Sequence, residues 1–152
     1  RPPKDPVNAL LSLGYTMLLS EVTRCVQLAG LDPSLGFLHQ DYPGRESCAL
    51  DFTDIFRSGV DSFVLAWLHS GQIDMDGFYY RKKTGCRLAR AARPLFYKSW
   101  AYYREAWPRP ERVMNENAEV RFGSLREIVN GQVAKARKYM KLLEEQHGIT
   151  SA

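Results

Sequence analysis

Two long blocks of apolar residues at helical spacing, separated by a stretch of turn formers, set what this chain can fold into. In the first block, Val7, Leu11, Leu18, Val22, Cys25, Val26 and Ala29 recur along one helix face, while Leu10, Leu13, Met17 and Leu19 fall on others. A helix that is apolar on most sides is a helix buried among others. Its punctuation agrees: Asp5 is an N-cap acceptor, Pro6 suits the first helical position, Gly30 ends the helix and Pro33 blocks its resumption. In the second block, Phe52, Ile55, Phe56, Val60, Phe63, Val64, Trp67 and Leu68 keep the same period. They predict a helix from near Asp51 to Ser70-Gly71, with Asp51, Asp54, Ser58 and Asp61 on the opposite face.

The remainder reads as smaller pieces. Residues 31–50 are irregular, with a turn at Pro43-Gly44. Phe78 to Leu88 reads as a hairpin around Lys83-Thr84-Gly85. An aromatic-rich third helix is expected from about Ala89 to Trp107, stopped by Pro108 and Pro110, with loop over 108–122. Ser124-x-x-Glu127 has the form of a capping box, and Leu125, Ile128, Val129, Ala136, Tyr139, Met140 and Leu143 mark a last helix closed by Gly148. The expected fold class is all-α, a multi-helix domain with a small β-hairpin insertion. At 152 residues, 45% hydrophobic and 25% charged, the chain fits one domain with a real core. No apolar run approaches the roughly 18 residues of a membrane span. Cys25, Cys48 and Cys86 are scattered with no CxxC, which argues against a disulfide framework or a zinc site and for a reducing compartment. Cys25 and Cys48 read as packing residues.

The net charge of +4 is unevenly spread. Residues 1–80 carry 5 basic and 10 acidic side chains, whereas residues 81–104 carry 8 basic and none acidic. That basic run is Arg81, Lys82, Lys83, Arg87, Arg90, Arg93, Lys98 and Arg104, interleaved with Tyr79, Tyr80, Tyr97 and Trp100. Most charge runs are solvated faces. A run without compensating acid, with aromatics between, also suits a polyanion whose backbone the cations track and whose bases the rings stack on. Phe96, Trp100 and Tyr103 read better as core.

The acidic section holds the pattern of chemical interest, His39, Asp51 and Asp54, spaced H-x11-D-x2-D. Residues i and i+3 share a helix face, and His39 can fold back onto it. One imidazole with carboxylates suits Mg²⁺ or Mn²⁺, and such an ion can polarise a phosphoryl oxygen or activate a hydroxyl. The plain alternative stays open: Asp51 as an N-cap, Asp54 as an exposed helix acid, His39 as a structural histidine. Gly44-Arg45 is equally double, a turn with a solvated arginine or an arginine that forks a phosphate. His69 and His147, at expected helix ends, complement the helix dipole and are assigned no chemistry.

Several runs nevertheless resemble one family. RPPKDPVNALLSLGYTMLLSEV, AGLDPSLGFLH and GRESCALDFTDIFR stand in order over about residues 1–70, and GCRLARAARPLFYKSW looks like a more distal helix. They resemble CRISPR-associated protein one, the integrase of spacer acquisition. The resemblance implies that residues 1–152 are the C-terminal α-helical catalytic portion of a longer protein, whose β-rich dimerisation domain lies upstream. It implies a prokaryotic, cytoplasmic, metal-dependent endonuclease/integrase in which a 3′-hydroxyl of spacer DNA attacks a repeat-end phosphodiester. CRISPR-associated protein two and DNA are the implied partners, with a homodimer and no membrane. His39 matches the family's metal-binding histidine, Asp54 its metal-binding aspartate and Asp51 the neighbouring acid. A third ligand, a glutamate, lies on a helix preceding the RPP segment. Arg45, Arg57, Arg81, Lys82, Lys83 and Arg87 are the DNA-contacting residues expected. A non-catalytic DNA-binding or assembly module and a transposon-encoded homologue share these features.

Overall fold

The computed structural model describes residues 2–40, 42–108 and 122–147. Helix α1 (Pro6–Leu28) begins as its sequence demands: the Asp5 carboxylate accepts from the Asn8 amide at 2.8 Å with Pro6 behind it. At its end Gly30 takes φ +75°, the left-handed value that relieves a helix C-terminus. Helix α2 (Ser47–His69) runs antiparallel to α1, for Thr23 hydrogen-bonds Glu46 near one end while Tyr15 reaches Asp61 further along. The two approach closely at Gly14, where an added Cβ would stand 2.6 Å from Val60 Cγ1. Only a residue without a side chain lets the backbones meet there.

After a 3₁₀ turn (Met75–Gly77) come strands β1 (Phe78–Arg81) and β2 (Gly85–Leu88), an antiparallel hairpin pairing Phe78 with Leu88 and Tyr80 with Cys86. The hairpin docks on the start of α1 through Cys86 N–H to the Pro3 carbonyl, 2.8 Å. Helix α3 (Arg93–Tyr103) passes through a 3₁₀ turn (Arg104–Ala106) into a two-residue strand β3 (Trp107–Pro108), which pairs with β4 (Phe122–Gly123) ahead of helix α4 (Leu125–His147). The core joins α1 (Leu10, Leu18, Val22, Val26), α2 (Phe52, Phe56, Val60, Val64), α3 (Phe96, Trp100) and α4 (Val129, Val133). Phe63 sits within 5.1–5.3 Å of the rings of Phe96, Trp100 and Tyr103, in edge-on or tilted arrangements.

The all-α class and the hairpin stand as the sequence implies. Three boundaries differ. Helix α2 starts at Ser47, four residues before the expected Asp51, because the Pro33 carbonyl accepts from Cys48 N–H at 2.9 Å and substitutes for a side-chain cap. Helix α3 starts at Arg93, with Pro94 in its first turn, rather than at Ala89. Trp107 is not helical: its indole is buried over Gly59, in the space that a Cβ would occupy. Residues 109–121, expected to be loop, and the expected stop at Gly148 lie outside the described residues. Among the described residues, no helix is long and apolar enough to cross a membrane.

Candidate functional site

The loop before α2 is organised by one carboxylate. Asp51 lies in the second turn of α2 with its side chain fully buried. Its Oδ2 accepts from the amides of Phe37 (2.7 Å) and Leu38 (2.9 Å), and its Oδ1 accepts from the amide of His39 at 3.0 Å. Three successive backbone N–H groups thus close on one anion, a concave arrangement that favours negative charge. Gly36 makes it possible, since a Cβ there would fall 2.5 Å from the His39 carbonyl oxygen and 2.7 Å from Ser47 Cβ. Ser47, buried, ties the far side of the loop by donating to the Gln40 carbonyl at 3.1 Å.

The same carboxylate orients the histidine. Burial pushes the Asp51 carboxyl up, but its hydrogen bonds from Leu38, His39 and Phe37 together hold it below the ordinary carboxylate value, so it is ionised and only accepts. His39 Nδ1, 2.5 Å from Asp51 Oδ1, must then carry the proton. In the neutral ring this leaves the lone pair on Nε2, the arrangement of a carboxylate–histidine–metal triad. Nε2 faces Asp54 Oδ2 at 3.9 Å, and both side chains reach solvent, His39 at 28% and Asp54 at 47% exposure.

Asp51 therefore does not stand beside Asp54 as a second open carboxylate. Its place is behind His39, with both oxygens engaged. Asp54 Oδ1 accepts from Arg57 Nη1 at 3.2 Å, and the Arg57 guanidinium lies 4.6 Å over the Tyr15 ring. The Tyr15 hydroxyl donates to Asp61, and burial first, then that bond, raises the Tyr15 phenol. Sequence reasoning missed this chain, since it left Tyr15 on α1 and Asp61 on α2 unconnected. Their helical phases could have found it only with the α1–α2 pairing already known.

The sequence-predicted DNA residues divide into separate groups. Arg57 touches the His39–Asp54 pair directly. Arg45 is exposed in the turn whose Gly44 has φ +79°, with its amide donating to the Tyr42 carbonyl at 2.9 Å. Arg81, Lys82 and Lys83 are exposed on the hairpin, Arg81 lying 5.3 Å over the Tyr79 ring. Arg87 is half-buried on β2 beside Arg93. The hairpin meets the first residues of α1, whereas Glu46, just ahead of α2, meets the last turns of α1. The hairpin and the His39 loop thus lie toward opposite ends of the helix pair. Among the described residues, no three His, Cys, Asp or Glu side chains gather closely enough to hold a metal ion. His39 and Asp54 offer two donors.

Comparison with known proteins agrees with this scaffold. The family model described as CRISPR associated protein Cas1 matches residues 1–102, and the chain belongs to that family. It is 52% identical over 93 residues to a protein of Thermodesulfovibrio yellowstonii named CRISPR-associated endonuclease Cas1 1. That match takes in 56% of this chain and 29% of the relative, so the chain spans under a third of the relative's length. Among solved structures it is similar to a chain of a partial Cas6-RT-Cas1–Cas2 complex, at TM-score 0.76 and 26% identity over 95% of this chain and 41% of that one. A casposase bound to integration product shares the fold at TM-score 0.76 and 22% identity, over 93% of this chain and 39% of that one.

Proposed function

We propose that this chain is the helical portion of a divalent-metal-dependent DNA endonuclease/integrase that inserts DNA through attack of a 3′-hydroxyl on a phosphodiester. The observation that carries this reading is the His39 ring, held through Nδ1 by a buried, ionised Asp51 so that Nε2 turns outward toward Asp54. The donor set, one imidazole nitrogen and one carboxylate, fits Mn²⁺ or Mg²⁺. When bound, the ion would polarise the phosphoryl oxygen and favour the deprotonated hydroxyl. His39 and Asp54 would hold it, and Asp51 keeps the His39 tautomer and ring plane. Two donors leave positions for a glutamate from elsewhere in the protein, as the family resemblance implies. Arg57, paired to Asp54, would meet a phosphate through its planar fork. The solved relative assembled with Cas2 supports a Cas2 protein as partner, and a homodimer is part of the same proposal.

The test uses the protein as its gene encodes it, with Mn²⁺ and a DNA carrying free 3′-hydroxyls. His39→Ala and Asp54→Ala are each expected to lower strand transfer by about a hundredfold or more. Asp54→Ala, at an exposed helix position, should keep a thermal midpoint close to the unsubstituted protein, whereas His39→Ala also removes the ring's bond to buried Asp51 and should lower the midpoint. A folded Asp54→Ala protein with undiminished transfer would overturn the reading. A protein that binds DNA yet shows no Mn²⁺-dependent stabilisation or activity is the non-catalytic module instead.

A further inference from the structure

On the flank of α1 that meets the hairpin and α3, Ala9, Ser12, Leu13 and Thr16 face Arg87 and Leu88 of β2 and Arg93 and Tyr97 of α3 across a slot of about 280 Å³. Among the described residues, no carboxylate lines it. Arg87 and Arg93 are both half-buried, and among the described residues neither makes an ion pair; Arg93 Nε donates to the Leu88 carbonyl at 3.3 Å. Two guanidinium groups that share a partly desolvated cavity repel each other, and an anion between them relieves both the repulsion and the lost hydration. The remaining polar wall supplies donors. The Ser12 and Tyr97 hydroxyls can turn toward an acceptor, whereas the Thr16 hydroxyl is committed to the Ser12 carbonyl at 2.8 Å.

We propose that this slot holds a phosphate of a nucleic-acid strand, gripped by Arg87 and Arg93 and met by Ser12 and Tyr97. The inference rests on the DNA-processing reading above and adds to it a binding position away from the metal-facing pair. Its link to that pair is the outer face of α1. Ser12, Thr16 and Ser20 succeed one another at i+4 and are all exposed, with Ser20 tied to the Thr16 carbonyl at 3.1 Å. They form a neutral, hydroxyl-bearing strip. Tyr15 lies about 100° round the helix from Thr16, and on Tyr15 rests Arg57, itself paired to Asp54. A strand whose phosphate sits in the slot can cross this strip and meet Arg57 at the other edge without passing an unpaired carboxylate among the described residues: Asp61 is held by Tyr15 and Glu21 by Arg104. A free phosphate would need no such strip, which favours a strand.

The experiment measures binding of a labelled single-stranded and a duplex oligonucleotide to the protein as its gene encodes it, in EDTA, across salt concentrations. Arg87→Gln removes one guanidinium, and Thr16→Asp sets a negative charge at the slot rim on an exposed helix position. Arg93 is left in place because it also holds Leu88. Each substitution is expected to weaken binding about three- to tenfold near 0.1 M salt, and Arg87→Gln to reduce the salt slope by about 0.7–0.9. Lys141→Gln, the same loss of charge at an exposed site on α4, is expected to leave the slope unchanged. Folded Arg87→Gln and Thr16→Asp proteins with unaltered affinity and slope would overturn the slot while leaving the His39–Asp54 reading intact. An equal loss with Lys141→Gln would also overturn it, as would stabilisation of the unsubstituted protein by low-millimolar inorganic phosphate alone. No DNA binding by the unsubstituted protein under any condition would overturn both readings.

Discussion

The loop that carries His39 and the hairpin that carries Arg81, Lys82 and Lys83 both lie in connections between helices, yet opposite means hold them. In the loop, one buried carboxylate from α2 gathers three backbone amides and an imidazole. In the hairpin, the backbone ladder and one bond to Pro3 do the holding, and Arg81, Lys82 and Lys83 stand in solvent. The loop fixes an imidazole to within a hydrogen bond; the hairpin fixes only where its charge is. Chemistry at a bond needs the first kind of control, whereas attraction of a polyanion, which acts over about a Debye length, needs only the second. The contrast predicts that substitutions in the loop act on stability and reaction together. Those in the hairpin should act on salt-dependent binding alone.

The largest expected effect comes from Asp51. Asp51→Ala strands three loop amides and unties His39, and should lower unfolding free energy by about 3 kcal/mol or more, measured by denaturant titration. Asp51→Asn keeps an acceptor but can no longer fix the His39 tautomer. It should retain more stability while strand transfer falls about 10–100-fold. If Asp51→Ala were as stable as the unsubstituted chain, the loop would be held by something else and the contrast would fail.

Gly36→Ala is next. Its Cβ would press on the His39 carbonyl and Ser47, and backbone and a buried serine cannot yield as a flexible side-chain tip would. A loss of about 1–3 kcal/mol is expected, read as a lower thermal midpoint, with activity falling further than stability because His39 itself is displaced. A fall in midpoint with full strand transfer would mean that the His39 position is less demanding than the geometry implies.

These residues also show what a sequence can and cannot disclose. Helix α1 was legible end to end because its signals are local: Asp5, Pro6, Gly30 and an apolar period. The start of α2 was not, because aspartate serves equally as an N-cap and as a buried acceptor, and only the tertiary position of residues 37–39 selects between them. Trp107 continued a helical aromatic pattern, but the gap over Gly59 lies on another element. Of the site, His39 and Asp54 were named from spacing and resemblance. The role of Asp51 behind His39, and the Asp54–Arg57–Tyr15–Asp61 chain, depend on how α1 lies along α2, and no local pattern encodes that.

The smallest effect on stability, and the sharpest test of the other half of the contrast, belongs to the hairpin. Lys82→Glu with Lys83→Glu changes two exposed side chains, for neither of which an ion pair is found among the described residues. Unfolding free energy should therefore move by no more than about 0.5 kcal/mol. Binding of DNA should weaken and its dependence on salt should flatten, by about 0.7–0.9 in slope for each phosphate that is no longer neutralised. Strand transfer at saturating DNA should be nearly unchanged, because nothing in the hairpin touches His39 or Asp54. A fall in saturated rate would show that the hairpin positions the reacting strand as well as attracting it. An unaltered salt slope would make its positive charge a solvated face, leaving the α1 flank and Arg57 as the route by which nucleic acid reaches the site.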